Sequence, residues 1–413
     1  MLSLIAVLGE ASSKKQLDRA KKILSKKNME ILFVAVVISK VVTFANAKDD
    51  DILKIVSKAG FSGEFNEINT EDDYILGVHK INSKIANTTK YPIFIMHGFL
   101  TTPMSFFLTG QKNSLPLILA DNGHDVFLGS RRGSKYSSKH LHLSIESRDF
   151  WDFTWHEIGY YDLKAIIDFI LENTNANKIF FVGYSQGNTE LLVLLSMRPQ
   201  YNEVIDQAHL MSCVGAITNV HELGSLLSPL LLNYAKTHDD FYYLNMQSLI
   251  PLQVELAKIL CSSLRQIRVA LCKNIIFFMV GRNHRSTEVD PQTYAKMFEQ
   301  LSPIVGVKQL LHFAQLIMTS KFQQFDYGRR NIEIYNSTTP PQYDLAKITA
   351  PIYLYIGEED IIFNRKDSDK LAKILPNVVA KKMIRNYNHF DFVYGRNSHK
   401  LLYKQILEFI ETI

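Results

Sequence analysis

The stretch Lys178-Ile179-Phe180-Phe181-Val182-Gly183-Tyr184-Ser185-Gln186-Gly187-Asn188-Thr189-Glu190 decides how the rest of the chain is interpreted. Its apolar start, 179–182, is typical of a strand buried on both faces, and the leucine-rich run after it predicts a helix. Between them lies a G-x-S-x-G turn, which holds a serine on a strained backbone between residues that lack a Cβ atom. The pattern predicts Ser185 as a nucleophile, and the alternative is a chance match to a common pentapeptide.

Further apolar runs alternate with helical patterns along most of the chain. Strands are predicted at 74–81, 91–96, 125–129, 208–214, 351–356 and 377–384, and helices at 117–120, 157–171 and 401–410. Strand and helix in alternation predict an α/β fold, with a mostly parallel sheet flanked by helices. The aromatic cluster at 150–155 is interpreted as part of the packed core.

The segment 217–340 breaks this alternation. Helical runs rich in Leu, Phe and Met dominate it, at 223–232, 249–264 and 305–318. We interpret it as an inserted helical cap that controls access to a site; helices packed in the core are the alternative, and both readings are compatible. The predicted segments are an N-terminal extension with signal peptide (1–47), a first core part (48–216), the cap (217–340) and a second core part (341–413).

Two further residues complete a candidate catalytic set. Asp360 and His389 each come just after a predicted strand, as Ser185 does, so all three are expected at one edge of the sheet. The order Ser185, Asp360, His389 is that of the α/β-hydrolase fold. A serine hydroxyl is a weak nucleophile, so His389 would accept its proton and Asp360 would fix the tautomer of His389.

Other carboxylates compete with Asp360 for the acid role. Glu358 and Glu359 lie beside it and are interpreted as solvated loop charges. Asp391 is only two residues from His389, which makes it difficult for its carboxylate to orient that ring.

An oxyanion hole is predicted from backbone position. The N–H of Gln186, directly after the nucleophile, would be one donor, and the N–H of Phe99, in the loop after the strand 91–96, would be the other. His97 is interpreted as a structural histidine that bonds this loop.

Composition narrows the function classes. The formal net charge of +5 lies within residues 1–47, which leaves the remaining chain neutral. A neutral body argues against nucleic acid as a partner, because phosphate binding needs a basic surface. Neither an H-E-x-x-H motif nor a cysteine cluster with metal spacing occurs, so no metal and no cofactor are predicted.

The N-terminus has the layout of a secretory signal peptide. Basic residues at 14–27 precede the apolar run 31–38, and the small-x-small triplet Ala45-Asn46-Ala47 follows it. Lys40 interrupts the apolar stretch too early for a membrane span. Translation from Met29 would make residues 1–28 an extension of the gene model, and a basic, partly helical tail is the alternative. The prediction is entry into the secretory pathway, with a secreted or lysosomal destination.

Cysteines and sequons fit that compartment. In an oxidising environment Cys261 and Cys272 could close a short loop, whereas Cys213 is predicted to be a buried free thiol. Asn87 and Asn336 begin glycosylation sequons, a weak signal because sequons are frequent by chance.

Motifs spread over residues 55 to 410 resemble one known family, the animal acid lipases that include lysosomal acid lipase and gastric lipase. The resemblance is carried by segments 73–77, 97–100, 119–129, 161–163, 167–170, 183–187, 321–328, 340–343 and 388–392. It implies a lipase acting on triacylglycerols or sterol esters, with a cap and lid. It implies the same nucleophile, acid, base and oxyanion donors, and a disulfide between Cys261 and Cys272.

The sequence departs from the family pattern in places. Tyr184 stands where the family has His before the nucleophile, and Gly357-Glu358-Glu359-Asp360 replaces Gly-Gly-x-Asp. The loop between the two cysteines is about two residues longer, and 302–306 reads Ser-Pro-Ile-Val-Gly in place of Asn-Pro-Ala-Gly. Because a tyrosine does not ionise in the acid range as a histidine does, an acid pH optimum is not implied.

Three function hypotheses follow. The leading one is a serine lipase that meets neutral lipid at an interface, with its cap in peripheral contact with the lipid surface. A carboxylesterase for smaller soluble esters is the runner-up, and preference for long acyl chains separates the two. A non-catalytic lipid carrier on the same fold is the third, and it would be inert towards a serine-directed phosphonate. No oligomeric state is predicted.

Overall fold

The computed structural model describes residues 51–85, 88–213, 215, 222–245, 289, 293, 296–297 and 305–412. Nine strands in these residues form one sheet. They are β1 Gly63–Asn69, β2 Tyr74–Ile81, β3 Ile93–Met96, β4 Val126–Gly129, β5 Lys139–His140, β6 Ile179–Tyr184, β7 Ile205–Met211, β8 Ile352–Gly357 and β9 Val378–Ile384.

The strand order along the sheet is β1-β2-β4-β3-β6-β7-β8-β9, with the short β5 paired to β2. The hairpin of β1 and β2 is antiparallel, as is the β2–β4 pair, and every pair from β4 to β9 is parallel. The carboxyl ends of β6, β7, β8 and β9 therefore meet at one edge of the sheet. The predicted strands agree with this arrangement, except that β7 spans Ile205–Met211, three residues earlier at each end than the predicted 208–214.

Helices cover the sheet. The α-helices are α1 Asp51–Lys58, α2 Leu115–Asp121, α3 Trp155–Glu157, α4 Leu163–Thr174, α5 Gln186–Met197, α6 Glu222–Thr237, α7 Val307–Thr319, α8 Asn331–Tyr335, α9 Arg365–Ile374, α10 Asp391–Tyr394 and α11 Lys404–Ile410. Turns of π-helix lie at Ile158–Asp162 and His399–Tyr403. Turns of 3₁₀-helix lie at Pro103–Phe107, Gln111–Asn113, Asp149–Trp151, Pro199–Asn202, Asp239–Tyr243, Gly328–Arg330 and Leu345–Lys347.

Alternation along the central strands builds a core on each face of the sheet. In β6, Phe181 packs in the cluster on one face, whereas Phe180 and Val182 pack in the cluster on the other. Because side chains on a strand point alternately to opposite faces, an unbroken apolar run fills both cores at once. Helix α5 lies within the first cluster and is buried over most of its length, which is why its leucines show so little amphipathic pattern.

The aromatic cluster predicted at 150–155 is part of the core. Phe150, Trp151, Phe153 and Trp155 are all buried. Trp155 stacks on His312 of α7 with the ring centroids 3.6 Å apart. This stack fixes α7 against the body of the protein.

Helices α6 and α7 belong to the part of the chain between β7 and β8. They pack against each other around a third apolar cluster, to which Phe99 contributes a partly buried ring. Lys308 of α7 is almost fully buried and pairs with Asp152 at 2.5 Å, so a charge pair also holds this helix in place. The helix predicted at 249–264 lies outside the described residues. Among those residues, no helix is both long and apolar enough to cross a membrane.

Candidate active site

Ser185 lies in a tight turn between β6 and α5. Its backbone has φ 53° and ψ −118°, a strained conformation for a residue with a side chain. A methyl group added at Gly183 would lie 2.0 Å from Asn188 Oδ1, and one added at Gly187 would lie 2.8 Å from the Met96 carbonyl oxygen. The structure thus supplies the steric reason for both glycines.

His389 and Asp360 reach the serine from the ends of β9 and β8. His389 Nε2 lies 2.8 Å from Ser185 Oγ, and His389 Nδ1 lies 2.9 Å from Asp360 Oδ2. All three side chains are buried, with Ser185 the most exposed at 7%. A hydroxyl facing one imidazole nitrogen, with a carboxylate at the other, is the arrangement that activates serine nucleophiles.

Hydrogen bonds from the backbone hold Asp360 in place. Its Oδ1 accepts hydrogen bonds from the N–H groups of Ile362 at 2.9 Å and Phe363 at 3.0 Å. Its other oxygen, Oδ2, is thereby directed at His389.

The three other acidic residues considered for the acid role make hydrogen bonds elsewhere in their loops. Glu358 is exposed and accepts from the Asn386 N–H at 3.0 Å. Asp391 accepts from the Asn388 N–H at 2.8 Å and so caps its own loop. Glu359 is half-buried, and its backbone N–H donates to the Tyr387 carbonyl.

A second serine, Ser212, contacts the same histidine. Its Oγ donates to Asp360 Oδ2 at 2.5 Å and lies 2.7 Å from His389 Nδ1. Ser212 is fully buried and faces the nitrogen on the carboxylate side, whereas Ser185 faces Nε2. The Ser185 hydroxyl therefore lies at the ring nitrogen opposite Asp360, whereas the Ser212 hydroxyl contacts His389 and Asp360 on the carboxylate side.

Sequence reasoning missed Ser212 because it lies inside the run 208–214, which predicts a buried strand. One signal was available. Residue 212 directly follows β7, which lies between β6 and β8, so its side chain was bound to emerge at the edge that carries Ser185 and Asp360.

The loop after β3 lies against the nucleophile turn. A methyl group added at Gly98 would lie 2.8 Å from Tyr184 Cδ1 and 3.3 Å from Ser185 Cβ. The backbone at Gly98, directly before Phe99, thus runs beside the serine. On the other side, Gln186 is the first residue of α5, where a backbone N–H has no partner within the helix.

His97 and Tyr184 pack around this loop. His97 is buried, and its Nδ1 donates to the Gly98 carbonyl at 3.1 Å. Burial, with Arg131 adding to it, holds the pKa of His97 well below its usual value, so the ring is neutral and serves as a structural bond in the loop. The Tyr184 hydroxyl donates to the His389 carbonyl at 2.9 Å, and burial raises its pKa, so this residue holds the histidine loop as a neutral donor.

Comparison with known proteins gives the family. A family model of the alpha/beta hydrolase fold matches residues 91–395, and a model of a partial alpha/beta-hydrolase lipase region matches residues 52–110. Lipase 1 of Drosophila melanogaster is 31% identical over an alignment of 388 residues, and the match covers 89% of this chain and 82% of that protein. Gastric triacylglycerol lipase of Bos taurus is 31% identical over an alignment of 366 residues, and the match covers 86% of this chain and 90% of that lipase.

The chain belongs to the animal acid lipase family. The resemblance read from the motifs is thereby confirmed, and so is the prediction of a serine hydrolase of the lipase type. Solved structures agree on the α/β-hydrolase fold. A thermophilic esterase from Thermogutta terrifontis gives a TM-score of 0.50 at 13% identity and covers 84% of this chain and 98% of its own. A protein from Sulfolobus solfataricus gives 0.56 at 15% identity, covering 85% and 94%.

In this acid lipase, buried polar side chains connect the start of α5, directly after Ser185, with helix α7 and with Arg131. Gln186 Nε2 donates to Glu190 Oε1 at 2.8 Å and to Gln309 Oε1 of α7 at 2.7 Å. Glu190 also lies 3.2 Å from Arg131 Nε. Burial raises the pKa of Glu190 to about 7 although Arg131 opposes the shift, and burial lowers the pKa of Arg131 although Glu190 opposes it.

The remaining predicted sites stand apart from this network. Cys261, Cys272 and Asn87 lie outside the described residues, as does the segment 1–47. Asn336 is exposed and ends α8 in a left-handed conformation with φ 52°. Cys213 is a buried free thiol whose pKa is raised by burial, as the sequence predicts.

Proposed function

We propose that this member of the acid lipase family hydrolyses the carboxylic ester bonds of neutral lipids, triacylglycerols or sterol esters. The observation that carries the proposal is the contact of Ser185 Oγ with His389 Nε2, with Asp360 on the opposite ring nitrogen. The sequence relation to a gastric triacylglycerol lipase over most of both chains supports the lipid class.

The proposed reaction follows from the geometry. His389 takes the proton of Ser185 as the serine oxygen attacks the ester carbonyl carbon, and Asp360 stabilises the imidazolium that forms. The tetrahedral intermediate collapses, and His389 passes its proton to the leaving alcohol. Water then attacks the acyl-serine by the same route, which releases the fatty acid and restores the Ser185 hydroxyl.

Charge on the carbonyl oxygen would be held by two backbone N–H groups, those of Phe99 and Gln186. The close approach of Gly98 to Ser185 and the start of α5 at Gln186 support this role. Loss of one such donor costs on the order of 10²–10³ in rate in serine hydrolases, so both are expected to matter.

The segment 217–340 is the proposed cap. Its helices α6 and α7 pack around an apolar cluster that includes Phe99, and Phe99 and Phe313 of α7 meet edge to face with centroids 6.1 Å apart. Apolar side chains of the insert therefore border the oxyanion loop, as a site for acyl chains requires. Peripheral contact of the cap with a lipid surface belongs to the same proposal.

The cellular setting is also proposed. The layout of residues 1–47 favours a signal peptide and a secreted or lysosomal enzyme, with core parts at 48–216 and 341–413. A disulfide between Cys261 and Cys272 and glycans on Asn87 and Asn336 fit that route, and the exposure of Asn336 supports the last of these.

The proposal is tested with the purified protein and its Ser185→Ala variant on two substrates, a long-chain triacylglycerol emulsion and a short-chain soluble ester, each at mildly acidic and near-neutral pH. Activity that needs Ser185 and is highest on the emulsion supports the lipase. Ser185-dependent activity confined to the soluble ester would make the protein a carboxylesterase. Equal activity in both proteins, or none together with inertness to a phosphonate, would favour the lipid carrier.

A further inference from the structure

A buried arginine lies behind the loop that carries Phe99. Arg131, 2% exposed, donates from Nη1 to the Gly98 carbonyl oxygen at 2.9 Å and from Nη2 to the His97 carbonyl oxygen. Two consecutive carbonyls of one loop thus share one guanidinium. The fork of an arginine suits this task because its donors lie in one plane at fixed spacing.

The Gly98 carbonyl belongs to the same peptide group as the Phe99 N–H. In a trans peptide the C=O and N–H bonds point in opposite directions, and the described residues contain no cis peptide bond. A donor that fixes the carbonyl on one side therefore fixes the direction of the N–H on the other. Since Gly98 packs against Ser185, that direction decides whether the N–H can meet the carbonyl oxygen of a bound ester.

The guanidinium also brings charge to this peptide. The Gly98 carbonyl receives a second bond from Thr101 Oγ1 at 2.9 Å and a third from the neutral His97 at 3.1 Å. Of these three side chains, Arg131 alone is charged. A positive charge on the carbonyl oxygen polarises the amide and strengthens its N–H as a donor, and it does so in a site of low dielectric.

Glu190 holds the arginine and reaches the second donor segment. It is fully buried on the first turns of α5, 3.2 Å from Arg131 Nε, and its Oε1 also accepts from the Gln186 side chain. Arg131 and Glu190 therefore connect the loop of Phe99 with the helix start at Gln186. Both segments carry the N–H groups assigned to the oxyanion hole.

We propose that Arg131, held by Glu190, is a positioning residue that orients and polarises the Gly98–Phe99 peptide for binding of the oxyanion. The inference rests on the proposed function and deepens it. It adds a fixed positive charge, outside contact with substrate, to the groups that stabilise the transition state.

The kinetic consequence is specific. Charge on the substrate oxygen develops only in the transition state, so loss of Arg131 lowers kcat and leaves KM nearly unchanged. Removal of a whole oxyanion donor costs on the order of 10²–10³. Because the Phe99 N–H remains in the variant but is weaker and less well aligned, we expect a fall of about 10-fold to 10²-fold.

The test uses the purified full-length protein, a soluble ester and a phosphonate inhibitor. The main variant is R131M/E190L, in which apolar side chains replace the buried pair, a change that many proteins tolerate. R131K is a second test variant, and R132K is its matched control for damage to the fold. Arg132 is as buried as its neighbour but pairs with Asp162 and Asp72, outside the oxyanion loop.

In each of R131K and R131M/E190L, we expect kcat and the rate of phosphonylation to fall by similar factors. Both rates should fall further in R131M/E190L than in R131K. R132K is expected to lose stability but keep kcat within about 3-fold. Full kcat in R131K and in R131M/E190L would overturn the inference, as would an equal loss in R132K. Ser185→Ala distinguishes failure of this inference from failure of the proposed function. If the proposed function is wrong, the wild type shows no more hydrolysis than Ser185→Ala, and there is no Ser185-dependent rate for the arginine variants to lower.

Discussion

Replacement of Ser212 by alanine tests whether Ser185 is the nucleophile while Ser212 only supports His389 and Asp360. The variant removes one hydroxyl group, whose O–H donates to Asp360 Oδ2 at 2.5 Å and whose oxygen lies 2.7 Å from His389 Nδ1. The backbone of Ser212 has φ 49°, a conformation that alanine and serine adopt at similar cost, so the change isolates the hydroxyl.

The magnitude follows from the bonds that remain. Asp360 keeps two backbone N–H donors and its contact with His389, so it loses one of four polar contacts. A hydrogen bond to a charged group contributes roughly 1.5–3 kcal/mol, which sets the expected loss in unfolding free energy. Because most of that bond is already present in the resting enzyme, we expect kcat to fall only about 3-fold to 30-fold, against about 10⁴ for loss of the acid's function in a serine triad.

The assay compares Ser212→Ala with Ser185→Ala and with a buried serine elsewhere. Among the described residues, the Ser196 hydroxyl bonds only the Val193 carbonyl of its own helix, so Ser196→Ala supplies the matched control for stability. Hydrolysis of a soluble ester, melting temperature and covalent labelling by a phosphonate are measured on each protein. Ser212→Ala should still be labelled at Ser185.

Loss of labelling in Ser212→Ala, with activity as low as in Ser185→Ala, would refute this division of roles and make Ser212 a reacting group. Unchanged activity and stability would refute the bracing role instead.

Three other changes test separate parts of the site. Gly98→Ala places a methyl group 2.8 Å from Tyr184 Cδ1, so the loop must shift; ester hydrolysis should fall on the order of 10-fold to 10²-fold with little change in melting temperature, and a fully active variant would contradict the placement of this loop beside Ser185. Tyr184→Phe removes the donor to the His389 carbonyl, and kcat should fall about 2-fold to 10-fold while the shape of the pH–rate profile stays the same; a new ionisation in that profile would contradict the neutral role of Tyr184. Burial raises the pKa of Glu190 to about 7 from an ordinary 4.5, so this carboxyl contributes fully to the free energy of unfolding below pH 4.5, and that contribution is lost as the pH rises through 7. The melting temperature should therefore fall from about pH 5 to pH 8, and Glu190→Gln should make that fall less steep. An identical slope in the variant would show that the Glu190 carboxyl does not titrate in this range.

The parts of the fold and site that sequence could predict are those with a local signal. Strand β6, the turn at Ser185 and the start of α5 follow from one stretch of chain, and Asp360 and His389 follow from their places after strands. Parallel strands carry such residues to a common edge, so three local patterns predict one site.

Other features depend on contacts between distant residues. Arg131 lies in a loop that reads as polar and Glu190 on a helix that reads as apolar, and nothing in either pattern indicates that both are buried as a pair. The π-helical turn within the predicted helix 157–171 has the same kind of cause. A methyl group added at Gly159 would lie 2.5 Å from the Glu190 carbonyl oxygen, so this turn is shaped by close contact with α5.

The hydrogen bond from Gln186 to Gln309 links the position of α7 to the start of α5, directly after Ser185. The side chain of Gln186 bonds to α7, and the backbone N–H of the same residue is the proposed oxyanion donor. Any displacement of α7 that strains this bond would also act on the start of α5, where the proposed oxyanion donor lies. The nucleophile turn can therefore respond to what happens in the insert, with a single amide as the mechanical coupling between them.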